Sequence, residues 1–92
     1  MTEHYGRFTF RYCQDVESND KVRIYIQRQP DYEGRVYDSE HTHRLFSGGA
    51  APPHICIKSE FKPDTLEEAQ ELAHRWATCT ENYIRTGLFG ES

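Results

Sequence analysis

Apolar residues alternate with polar ones in two stretches of the N-terminal half, and recur at steps of three and four in one C-terminal stretch. Over residues 5–13, Phe8, Phe10 and Tyr12 share one side, opposite Arg7, Thr9, Arg11 and Cys13, which predicts a strand. Over residues 21–28, Val22, Ile24 and Ile26 turn inward while Arg23, Tyr25 and Gln27 turn outward. β-branched residues suit that half-buried pleat. A polar connection with turn residues Ser18, Asn19 and Asp20 joins the two into an antiparallel hairpin.

The middle of the chain is less regular. Pro30 cannot donate to a ladder and ends the second strand. Tyr32, Glu33 and Gly34 read as a turn, with a brief pairing expected at Val36 and Tyr37. Residues 41–46 alternate again and predict a third strand, and residues 54–58, apolar at Ile55 and Ile57, a fourth. Between them Ser47, Gly48, Gly49 and the run to Pro53 read as a loop.

Residues 65–86 predict a helix. Thr65 with Glu68 makes a capping-box pattern, and Asp64 with Glu67 offers the same signal one residue earlier. Leu66, Ala69, Leu72, Ala73, Trp76, Tyr83 and Ile84 form one apolar stripe. Glu71–Arg75 and Glu81–Arg85 are favourable pairs four residues apart, and Gly87 supplies the stop. The expected fold is α+β: a single domain over residues 1–92, a four-stranded, mainly antiparallel meander with the long C-terminal helix packed on one face.

Composition narrows the function classes. With 36% hydrophobic and 28% charged residues, the chain is in the globular range. A net charge of −4 and eleven Lys and Arg without a block argue against a nucleic-acid partner. No apolar run approaches a membrane span and the start Met1-Thr2-Glu3-His4-Tyr5 has no basic, apolar leader, so the expectation is a cytoplasmic protein with no membrane partner. Three cysteines, Cys13, Cys56 and Cys79, form no disulfide framework.

Cys56 carries the candidate chemistry. Alternation turns it away from Ile55 and Ile57, beside His54 and Lys58, either of which can supply the positive group that activates a thiol. The plainer alternative is a small apolar filler. His41, His43, His54 and Cys56, two apart on two strands, also offer a His3Cys zinc set without close metal-ligand spacing. Cys13 and Cys79 read as structural and His74 as solvated. Asp31, Glu33, Asp38 and Glu40 read as a solvated acidic loop. Gly48-Gly49 lacks a phosphate-loop context.

In order, His43-Arg44, Gly48-Gly49, Ile55-Cys56, Trp76, Tyr83, Thr86-Gly87, Phe89 and Gly90 resemble the bacterial members of the ubiquitin-conjugating-enzyme-like fold over residues 41–90. The resemblance implies that Cys56 carries a thioester to a small modifier, with His43 or His54 assisting proton transfer or oxyanion stabilisation. Its partners would then be that modifier and its activating enzyme. A non-catalytic protein-interaction or small-ligand-binding module on the same scaffold is the competing expectation, and a zinc-binding protein a weaker one. No cofactor is expected. Tyr25 and Arg23 on the uncovered sheet face, and Leu88 and Phe89 after the helix, suggest a homodimer.

Overall fold

The computed structural model describes residues 1–16, 19–46 and 51–90. Gly48, Gly49 and the first part of the expected loop lie outside the described residues. The elements are β1 (Thr2–Tyr5), β2 (Phe8–Asp15), β3 (Lys21–Arg28), α1 (Ser39–Thr42), β4 (Arg44–Leu45), β5 (His54–Ile55) and α2 (Leu66–Thr86). The strands form one antiparallel sheet in the order β1-β2-β3-β5-β4. The α+β class, the β2–β3 hairpin and the long C-terminal helix agree with expectation.

Among the described residues the sheet has five strands rather than four. The unexpected one, β1, carries Glu3 and Tyr5 at the register of Phe10 and Phe8, so its inward positions show no apolar alternation. Gly6, at φ 58°, makes the tight turn into β2. The order is also not a meander, because β5 inserts between β3 and β4.

Residues 41–46 are not one strand. Asp38 caps a helical turn by accepting from the His41 N–H at 2.9 Å, and His43 closes it in the left-handed conformation at φ 53°. Only Arg44 and Leu45 remain extended. The fourth expected strand shrinks likewise, to His54 and Ile55. The β3 edge is instead completed by proline carbonyls: Pro53 O accepts from Ile26 N at 2.8 Å and Pro63 O from Val22 N at 2.9 Å. A proline can accept there while offering no competing donor.

The helix ends match their sequence signals. Thr65 Oγ1 accepts from Glu68 N at 3.2 Å and donates to the Glu68 carboxylate. Gly87, at φ 85°, ends α2 with its N–H on Tyr83 O at 2.7 Å.

Phe8, Phe10, Tyr12, Ile24 and Ile26 face α2 and are buried. Ala69, Ala73 and Ala77 present small surfaces to them, which lets the helix lie close to the sheet. Trp76 meets Phe8 and Phe10 edge-on, at centroid distances of 5.7 and 6.1 Å. Val22, Ile57 and Leu72 are only partly buried around this core, and Leu66 is exposed. A second cluster joins Tyr32, Tyr83 and Ile84, with Phe89 folded against both clusters. No helix among the described residues is long and apolar enough to cross a membrane.

Candidate functional site

Beyond β5 the chain passes in front of the N-terminal half of α2 and leaves an open groove of about 530 Å3. Its apolar wall comprises Ile57, Phe61, Leu72 and Trp76, with Cys56 beside them. Glu68, Glu71, Arg75 and Lys58 add charge around it. Alternation survives the end of the strand: Ile55 is buried, Cys56 exposed and Ile57 partly buried. The Cys56 N–H donates to His43 O at 2.9 Å, which fixes the backbone that carries the thiol.

Cys56 is the exposed cysteine of the three. Cys13 is half-buried on the opposite sheet face, where its Sγ accepts from Arg11 Nη1 at 3.1 Å. Cys79 is buried in the helix.

The two histidines expected beside Cys56 have other neighbours. The His43 ring stacks on Phe89 with centroids 4.3 Å apart, and His43 meets Cys56 through its carbonyl. His54 stands at the register of Tyr25 and Leu45, on the sheet face away from α2, with its ring edge-on to Tyr25 at 6.1 Å. Burial, followed by the charges of Arg23 and Lys62, lowers its pKa below the usual histidine range, against a smaller pull from Asp15. Neither imidazole lines the groove.

The expected zinc set does not assemble. His41 lies in α1, where its ring meets the Asp38 carboxylate at 2.7 Å. The N–H and ring of His41 hold the Asp38 carboxyl below the usual carboxylate range. Because the helical turn breaks the strand, His41 and His43 do not share a pleated face. Among the described residues no group of three or more His, Cys, Asp or Glu side chains is arranged to hold a metal ion.

A polar cluster also lies between β1 and α2. Glu3 Oε1 accepts from Tyr12 Oη at 2.6 Å and lies 3.0 Å from His74 Nε2, while Glu3 Oε2 accepts from Gln70 at 3.3 Å. Tyr5 stacks on the His74 ring at 3.9 Å. His74 is thus engaged rather than simply solvated. Its partners sit about seventy residues away in the chain, so local patterning carries no trace of them. The cluster pins β1 to α2.

Comparison with known protein families, with curated proteins and with solved structures returns no match.

Proposed function

We propose that this chain is a protein-binding module whose α2 groove takes an extended segment of a partner. The observation that carries this reading is the co-location of Cys56, Phe61 and Leu72 in one open groove. Phe61 is 66% exposed and adjoins Ile57 and Leu72 in the lining, so the groove offers a contiguous apolar patch rather than a lone exposed ring. Glu67, Glu68 and Glu71 crowd the N-terminal half of α2. The favoured segment therefore places an apolar side chain on Phe61 and Leu72 and matches a lining of both signs, with a basic residue near Glu68 and Glu71 and an acidic one near Lys58. In this reading Cys56 is a groove residue without a chemical step.

The thiol-carrier reading implied by the ubiquitin-conjugating-like resemblance competes with it. Exposure of Cys56 favours that reading, since a nucleophilic thiol must be reached. Against it stands the separation of both imidazoles from the groove lining.

Selection from a random peptide display library on the intact protein, with alkylation rates alongside, separates the two. The module predicts enrichment of peptides that pair an apolar with a basic residue. It also predicts their loss with Leu72→Glu, their retention with Cys56→Ala, and alkylation of Cys56 at the rate of an unactivated thiol. No enriched class, or a Cys56 that reacts far faster than a free thiol and forms a thioester adduct, overturns it.

A further inference from the structure

Arg44 sits in a setting that the α2 groove does not explain. On β4 it occupies the register of the buried Ile55, an inward-facing position at the sheet edge. Its guanidinium lies over two rings, 5.0 Å from the centroid of Tyr32 and 5.3 Å from that of Phe46. Stacking of this kind holds the plane of the cation but does not neutralise it. Among the described residues no carboxylate forms an ion pair with Arg44. A partly buried charge without a counter-charge is costly, so the position calls for an anion.

The hydrogen bonds show which part of Arg44 remains for it. Nη1 donates to Gln29 Oε1 at 3.0 Å. Nε is buried and has no hydrogen-bond partner among the described residues. The edge formed by Nε and Nη2 is one of the two edges that grip a carboxylate or phosphate through parallel N–H···O bonds. Tyr32, only 7% exposed, presents a second unused group, because its buried hydroxyl also lacks a partner among the described residues. Unmet buried donors are rare enough to need a reason. Arg44 and Tyr32 line the same groove of about 450 Å3, together with Gln29, Arg35, Tyr37 and Asp31.

The remaining charges fit the same assignment. Arg35 donates to Ile84 O and Arg85 O at the end of α2, which places a second cation in the lining. Asp31 is the opposing charge, and its carboxylate caps the adjacent turn by accepting from Glu33 N at 3.1 Å. Two guanidinium groups against one carboxylate leave the groove positive within an acidic protein. Exposed Tyr37 belongs to the lining, and exposed Phe46 packs on the cation beside it.

We infer that this second groove binds the oxyanion of a small aromatic acid, a carboxylate or a phosphate monoester, on the Nε/Nη2 edge of Arg44 with the Tyr32 hydroxyl as a further donor. Phe46, 63% exposed, flanks the same guanidinium from outside the groove lining. The site shares no lining residue with the groove that carries Cys56, so it stands independently of the peptide-binding reading.

Titration of the intact chain with benzoate, phenyl phosphate and neutral benzamide at constant ionic strength, followed through the backbone amide resonances of Tyr32 and Arg35 in every variant and through the Arg44 Nε–H resonance in the wild type, tests the inference. A saturable shift with either anion, and none with benzamide, is expected. Saturation by benzoate alone identifies a carboxylate ligand, and by phenyl phosphate alone a phosphate ligand. Arg44→Lys keeps the charge but loses the paired donors, and is expected to weaken binding by ~10-fold or more. Tyr32→Phe, which only removes an unpartnered hydroxyl, should weaken binding while leaving the thermal midpoint unchanged or higher. No saturable shift with either anion overturns the site. Equal affinity in Arg44→Lys also overturns it, since that result marks general charge attraction.

Discussion

Trp76 Nε1 donates to the carbonyl oxygen of Thr42 at 3.0 Å, which ties the middle of α2 to the helical turn ahead of β4. Thr42 is fully buried, and its hydroxyl donates to Asp38 O at 2.6 Å. The tryptophan therefore does two jobs. Its ring fills the space before Phe8 and Phe10, and its N–H satisfies a carbonyl that no strand partner reaches.

Replacing Trp76 with phenylalanine keeps an aromatic ring but strands the Thr42 carbonyl. The expected loss is about 2–3 kcal/mol, from the unmet acceptor together with the missing half of the indole. Urea unfolding measures it. Loss of less than about 0.5 kcal/mol would mean that the indole N–H contributes nothing beyond bulk.

Parts of the fold whose signals are local are legible in the sequence, and parts set by distant partners are not. Residues 65–86 are legible because the cap and stripe within the segment and the Gly87 stop directly after it agree. The β2–β3 hairpin was legible because Phe10 and Ile26, or Tyr12 and Ile24, are paired by alternation alone. Residues 41–46 alternate as well, but Asp38 lies just outside that window and its cap on His41 decides the local conformation. β1 was hidden because its inward residues are Glu3 and Tyr5, whose partners Gln70 and His74 belong to α2. For the candidate site, exposure of Cys56 followed from its place between two isoleucines. The positions of His43 and His54 did not, since they depend on Phe89 and on strand order.

Tyr12 gives the protein a sensitivity to alkali. Burial first, and then its hydrogen bond to Glu3, raises the phenol far above the usual tyrosine range. The unfolded chain therefore releases this proton at lower pH than the folded one. The associated stability is fully present below about pH 10 and is lost as the pH climbs beyond it. Tyr12→Phe should flatten the alkaline limb of the stability profile, at the cost of leaving Glu3 with fewer donors. An alkaline limb that is the same in wild type and variant would contradict the assignment.

His54 acts at the other end of the pH scale. Burial beside Arg23 and Lys62 favours its neutral form in the folded state, and Asp15 only partly opposes them. The unfolded chain accepts the proton first as pH falls below the usual histidine value of about 6.5. Stability is therefore complete above that value and declines as the pH drops toward the lowered folded pKa. Chemical denaturation between about pH 5 and pH 8 should show a smaller decline in His54→Gln than in wild type. An unchanged slope in the variant would assign the acid sensitivity to another group.

Gly87 and Arg35 form the last coupled pair. The left-handed backbone of Gly87, at φ 85°, costs a residue with a side chain about 1–2 kcal/mol. Space adds a second penalty, because a Cβ there would lie 3.0 Å from Arg35 Nη1. That guanidinium donates through Nε to Ile84 O at 3.2 Å, so moving it aside uncovers carbonyls at the negative end of α2. Gly87→Ala should therefore destabilise the wild type more than it destabilises Arg35→Ala, in which the backbone penalty remains and the collision is gone. Unfolding free energies of the two single variants and the double variant close the cycle, with a coupling of about 0.5–1 kcal/mol expected. Strict additivity would show that the guanidinium yields freely to the new methyl group and that Gly87 is required for its dihedral angles alone.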